Sequence, residues 1–131
     1  AGDMSGKVLV DITNPLKQDY SGLDVGFTTS AAEEIAKLAP KAKVVKAFNT
    51  IFAEVLQGAK FKEGSPNVFI CGDHQDAKEK VSQIAKDLGY EPIDVGPLSS
   101  ARLVEPLGML NITLGYMQKM GTSIAFRLMR E

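Results

Sequence analysis

The strongest constraint on the fold is a nearly continuous apolar run close to the start of the chain, residues 8–12 (VLVDI), closed by Thr13-Asn14-Pro15. A strand apolar at successive positions must be covered on both faces, as inner strands are when helices flank the sheet. Residues 42–48 (AKVVKAF) and 67–71 (NVFIC) have the same character, and residues 90–95 (YEPIDV) a weaker form of it. Most of these runs are separated by amphipathic segments. That alternation predicts an α/β fold with parallel pairing and right-handed crossovers.

The helices carry their own punctuation. Ser30-x-x-Glu33 is a capping box, so a helix is expected to start there, bury Ile35 and Leu38, and stop at Pro40. A short helix over residues 51–57 would bury Phe52, Val55 and Leu56. The clearest helix follows Asp73, which can cap it. Ala77, Val81, Ile84, Ala85 and Leu88 form one face, and Gly89 suits a left-handed C-cap. Pro92 places the fourth strand at an edge.

The last third is helical from Ser99 or Ser100 to about Met120 and apolar on more than one side. Leu103, Leu107, Leu110, Leu114 and Met117 make the main face, which predicts burial by several neighbours, with a bend at Pro106. Residues 122–129 fit either a final strand or a short helix.

Composition excludes several classes. With a net charge of −1 the chain has no general pull toward nucleic acid or anionic membrane. One His and one Cys rule out a His/Cys metal cluster within the chain, and no run approaches the roughly 20 apolar residues of a membrane span. The lone Cys71 excludes an internal disulfide and suits a reducing cytoplasm.

Parallel strands would bring Thr13-Asn14-Pro15, Asn49-Thr50, Gly72-Asp73 and Gly96-Pro97 to one rim, where open α/β sheets bind ligands. Each candidate also has a plainer reading. Asn14-Pro15 is also an ordinary turn, and Asn49-Thr50 would also cap a helix starting at Ile51. Arg102 either pairs with Glu105 or binds an anion, and Ser99 and Ser100 are N-cap residues. His74 reads as exposed, Cys71 as inert core, and the methionines as packing residues. The carboxylates read mostly as solvent-facing. No nucleophile–base pair is visible, and no glycine fingerprint for a pyrophosphate occurs between a strand and a helix.

Four blocks, VLVDITNPL (8–16), AFNTI (47–51), VFICGD (68–73) and IDVGPLSSARLVEPLGMLNI (93–112), resemble the coenzyme F-420-dependent NADP oxidoreductase family. The likeness runs over about residues 7–130. Related oxidoreductase domains occur in metalloreductases of the six-transmembrane type. The resemblance implies a partial Rossmann-like, mostly parallel sheet of about four strands with flanking helices and a long apolar C-terminal helix. Residues 1–97 would be the second half of an NADP-binding domain, and residues 98–131 a helical dimerisation and acceptor-site segment. It further implies NADP(H) as cofactor, a deazaflavin or flavin as second substrate, and a homodimer. By position, Asn14, Pro15, Asn49 and Thr50 would orient the nicotinamide, while Leu98, Ser99 and Arg102 would shape the acceptor pocket. Asn49 and Thr50 stand where archaeal deazaflavin enzymes tend to carry a His-Thr pair, and Pro106 and Gly108 replace hydroxyl residues found in those enzymes. The family's glycine loop lies upstream of the matched region, so the chain is expected to be a truncated form. A non-catalytic dimeric remnant that binds no dinucleotide alone is the alternative. The first strand would then be an exposed apolar edge that a second copy covers.

Overall fold

Side-chain alternation along the inner strands builds the molecule. In the computed structural model, which describes residues 2–131, Val44 faces one apolar cluster and its neighbour Val45 the other. The strands are β1 (Val8–Asp11), β2 (Lys43–Lys46), β3 (Asn67–Gly72) and β4 (Glu91–Asp94), and they form one sheet in chain order. Helices α1 (Ala31–Leu38), α2 (Ala53–Leu56), α3 (Gln75–Asp87) and α4 (Ala101–Ile112) cover its two faces. Val45, Val68, Ile70, Ala77, Val81 and Ala85 fill the layer under α2 and α3. Ala32, Val44, Cys71, Leu98, Ala101 and Val104 fill the layer under α1 and α4. Pro92 lies in β4 at an edge, as its missing N–H requires.

The sheet is mostly parallel, with one reversal. β1 pairs with β2 and β3 with β4 in parallel, but β2 and β3 are antiparallel, with Val45 opposite Gly72 and Lys46 opposite Cys71. The connection explains this. A parallel return must carry the chain back along the strand, usually on a helix, whereas α2 has four residues and rises only about 6 Å. The chain therefore enters β3 from the end where β2 stops. This corrects the expectation of a single rim: Gly72-Asp73 and Gly96-Pro97 lie at the opposite end of the sheet from Asn14 and Asn49.

Several local expectations hold. The Ser30 hydroxyl accepts the Glu33 N–H (3.1 Å) and donates to its carboxylate (2.7 Å). Gly89 follows the last residues of α3 with φ +91°, the left-handed backbone that glycine adopts without strain. Others do not. Asp73 does not cap α3 but accepts the Leu98 N–H (2.9 Å). Asn49 and Thr50 do not cap α2, which starts at Ala53 without a side-chain cap, and Ser100 makes no cap bond. Leu38 is 87% exposed beside a shallow groove it shares with Met4 and Leu9, at the edge of the sheet where no strand among the described residues pairs with the outer side of β1. Leu56, Ile84 and Leu88 are likewise exposed, on the flanks of their helices.

The largest correction concerns α4. Its inward face is not the leucine stripe but Ala101, Val104, Glu105, Gly108 and Asn111. Leu103 is 74% exposed, and Leu110 and Met117 are also exposed. Small residues let the helix approach the sheet closely, and its polar residues meet buried polar groups there. α4 runs unbroken through Pro106, then turns into a π-helical stretch, Thr113–Met117, and ends short of Met120. Residues 122–129 form neither strand nor helix. They lie along the start of β3, where the Asn67 N–H donates to the Phe126 carbonyl (2.9 Å) and Arg127 Nη1 to the Ser65 carbonyl (2.6 Å). Among the described residues, no helix is long and apolar enough to cross a membrane.

Ile70→Ala is expected to destabilise the fold by about 2–5 kcal/mol in urea unfolding, because the vacated space lies between sheet and helices. Leu38→Ala is expected to change stability by less than about 0.5 kcal/mol.

Candidate functional site

The site is built around the loops that leave β1 and β2. Lys46, the last residue of β2, follows Val45 and so shares the face of Val44, on the side covered by α1 and α4. That position is fully buried, and an unpaired ammonium there would be costly. Its Nζ donates to Asp11 Oδ2 (3.0 Å) and to the Thr13 carbonyl (2.5 Å), and lies 3.7 Å from Glu105 Oε2. Asp11 Oδ1 accepts the Thr13 N–H (2.9 Å) and hydroxyl (2.7 Å). Glu105 accepts the Ala31 N–H at the start of α1 (2.6 and 3.0 Å). Burial pushes the Glu105 carboxyl up, against the pull of Lys46. Asp11 and Glu105 thus depart from the expected solvent-facing carboxylates.

One residue beyond Thr13, the Asn14 side chain meets Asn49. Asn14 Nδ2 donates to the Asn49 carbonyl (2.9 Å), and Asn49 Nδ2 donates to Asn14 Oδ1 (3.2 Å) and to the Val104 carbonyl of α4 (3.0 Å). With both Nδ2 protons used, Asn49 presents Oδ1 as an acceptor, and this buried oxygen has no protein donor. Phe48, just before it, is held at φ +63°, a left-handed backbone that a bulky residue adopts only under constraint. Thr50 is buried, and its carbonyl accepts from Asn111 Nδ2 (2.9 Å). Pro15 is half-buried, its carbonyl accepting the Asp24 N–H (2.6 Å). Gly108 lets α4 lie against the amide pair: a Cβ there would sit 2.3 Å from Asn14 Oδ1 and 2.7 Å from Asn49 Nδ2.

A cleft of about 290 Å³ opens beside this pair, lined by Asn14, Tyr20, Asn49, Phe52, Asn111 and Tyr116 among others. It adjoins a more apolar space of about 360 Å³ walled by Tyr20, Ile112, Tyr116 and Met117. Phe52 and Tyr116 pack edge to face, ring centroids 5.7 Å apart at 88°. The arrangement offers amide hydrogen-bonding groups on one side and a flat aromatic and aliphatic wall on the other.

Of the sequence candidates only Asn14 and Asn49 line this cleft; Pro15 and Thr50 lie behind them, and Leu98, Ser99 and Arg102 are elsewhere. Leu98 is buried among Cys71 and Val44, and Ser99 is exposed in a shallow depression with Asp73, Lys37 and Pro40. Arg102 pairs neither with Glu105 nor with a free anion site. It grips Glu33 with Nε (3.0 Å) and Nη2 (2.8 Å). Burial alone would raise the Glu33 carboxyl, but the bonds from Arg102 and Ser30 outweigh it and hold it below the usual range. Burial pushes the Cys71 thiol up to about 12, so it is inert, and His74 is exposed. Sequence reasoning missed Asp11, Lys46, Glu105, Gly108, Asn111, Tyr20 and Tyr116. A signal existed for Lys46 and Glu105: opposite charges at positions whose periodicity faces the interior. Among the described residues, no cluster of His, Cys, Asp or Glu could hold a metal.

No protein-family model matches the chain. Over 112 residues it is 43% identical to the metalloreductase STEAP3 of Rattus norvegicus, covering 84% of this chain and 22% of that protein. Over 109 residues it is 37% identical to the metalloreductase STEAP2 of Homo sapiens, covering 83% of this chain and 21% of that protein. Among solved structures it superimposes with a TM-score of 0.88 on a protein from Arthrobacter sp. FB24 described as a candidate F-420-dependent NADP-reductase. That match is 33% identical and covers 97% of this chain and 59% of that one. A hypothetical protein from Sinorhizobium meliloti gives a TM-score of 0.69 at 35% identity, covering 77% of this chain and 50% of that one. The chain therefore spans about a fifth of the curated metalloreductases it matches.

Gly108→Ala tests the close approach of α4. In an ordinary helix interior the change stabilises by about 1 kcal/mol. Here the added Cβ meets the amide pair, and a loss of about 1–3 kcal/mol is expected in denaturant unfolding, with the Asn14 and Asn49 side-chain NMR signals displaced.

Proposed function

We propose that this chain, related over nearly its whole length to the coenzyme F-420-dependent NADP oxidoreductase family, forms the nicotinamide side of an NADP-dependent oxidoreductase site. Its reaction would be hydride transfer between NADPH and a flat-ring acceptor, a deazaflavin, a flavin or a similar molecule. The observation that carries the reading is the buried, donorless Oδ1 of Asn49, a residue that lines the cleft. An amide-bearing ring is the ligand that such an acceptor, beside Asn14 and Asn111, is suited to receive.

The chain's own residues then have defined tasks. Asn49, fixed by Val104 and Asn14, would offer its acceptor to the carboxamide, and Asn14 would bound the ring's edge. Thr50 holds Asn111 in place through its carbonyl. Tyr20, Ile112, Tyr116 and Met117 offer the apolar surface on which a flat acceptor would lie and from which water is excluded. Bound dinucleotide would supply the hydride itself. Leu98, Ser99 and Arg102 take no part in this proposal, since Arg102 is committed to Glu33. The residues present fit the nicotinamide end of the cofactor, but no glycine loop among the described residues suits its pyrophosphate.

We also propose that a second copy covers the apolar surface left open at β1 and along Leu103, Leu110 and Met117. Light scattering is expected to give a dimer at micromolar concentration, and a monomer at high micromolar concentration would overturn this.

Calorimetric titration of the chain with NADPH tests the function. Binding is expected, weakened about threefold to tenfold by Asn49→Ala, the range for one lost neutral hydrogen bond. No binding at millimolar NADPH would favour the second reading, a non-catalytic chain that binds no dinucleotide alone.

A further inference from the structure

We propose that Lys46 is a positioning residue: together with Asp11 and Glu105 it sets the Thr13–Asn14 turn so that the Asn14 amide meets Asn49 at the cleft. The proposal rests on the functional reading above, since it assigns the buried ion cluster to that site.

The argument begins with what the turn lacks. The Ala47 N–H donates to the Asp11 carbonyl, continuing the β1–β2 pairing to the strand's end. At Thr13 the backbone has left the sheet, and the residue is itself exposed. Both of its backbone polar groups are nevertheless satisfied, the N–H by Asp11 Oδ1 and the carbonyl by Lys46 Nζ. Its hydroxyl also goes to Asp11. Side chains of the cluster therefore replace the sheet in fixing the peptide next to Asn14.

The same cluster reaches the other side of the amide pair. Glu105 lies 3.7 Å from the lysine and is anchored on α1 through the Ala31 N–H. Its neighbour Val104 accepts from Asn49, and Gly108, three residues on, packs on the pair. Packing alone gives no reason for such an arrangement. Replacing a buried ion cluster with apolar residues of similar volume is often neutral or stabilising. An apolar side chain could not hold the Thr13 carbonyl.

The test separates positioning from stability. Lys46→Met leaves two carboxylates without their cation and is expected to fold poorly by the same logic, so Lys46→Met/Asp11→Leu/Glu105→Gln, which leaves no buried charge in the cluster and keeps an acceptor for the Ala31 N–H, is the informative variant. It is expected to fold and to melt within a few degrees of wild type. In it, hydrogen exchange of the Asn14 and Asn49 side-chain amides, read by NMR, is expected to rise about tenfold, and NADPH binding to weaken about tenfold. Lys78→Met removes another buried lysine, paired with Asp94. It is expected to lower the melting temperature and leave both readouts unchanged. If the triple variant folds with wild-type amide exchange, or wild-type NADPH affinity, the positioning role is overturned. If wild type itself binds no NADPH, the proposed function falls while the amide exchange still decides the role of Lys46.

Discussion

A lysine with no exposed surface governs the architecture at the cleft end of this molecule. Lys46 sits where an inner strand meets two helices, and its charge can be kept there only if carboxylates come to it. Asp11 arrives from the neighbouring strand and Glu105 from α4, more than fifty residues later in the chain. Meeting that electrostatic demand joins the ends of β1 and β2, the start of α1 and the inner face of α4. The amide pair Asn14–Asn49 is the next layer outward, and the cleft is the layer beyond it.

The second constraint is the reversal between β2 and β3. A four-residue helix cannot return the chain along the sheet, so the ends of β1 and β2 stand alone at one edge. The space that further parallel strands would have occupied with their loops is closed instead by the C-terminal half of α4 and the π-helical stretch. Tyr116 and Met117 come to the cleft by this route, with Tyr20 from the loop after β1. The proposed ligand-facing surface is therefore assembled from loops and one helix end rather than from a row of strand ends.

Much of the fold was legible in the sequence, because apolar runs, the Ser30–Glu33 box, Gly89 and Pro92 each act locally. The direction of β3 was not, since alternation of strands and helices suggests parallel pairing and only the shortness of α2 argues otherwise. Asn14, Asn49 and Thr50 were recognised as candidates from strand-end position and resemblance, and they do lie together. Arg102 was misjudged because its partner, Glu33, is 69 residues away. α4 was read inside out for a related reason. Large apolar residues dominate a periodicity, whereas close packing against buried amides selects Gly108, Ala101 and Asn111, whose signal is absence of bulk.

That inversion of α4 links packing to chemistry. A helix that buried its leucines would stand off from the sheet by the length of those side chains, and Val104 could not reach Asn49. By turning Gly108 inward, the helix comes close enough for its backbone carbonyl to take one Asn49 proton while Asn14 takes the other. The amide is then unable to rotate without losing both bonds, so Oδ1 is held as an acceptor before any ligand arrives. Preorganisation of this kind lowers the ordering cost of binding. The corresponding cost falls on stability: a buried oxygen left without a donor, a left-handed Phe48 and an exposed leucine face on the outer side of the helix. The buried oxygen and the exposed leucines share one cause, the close seating of α4 on the ends of β1 and β2.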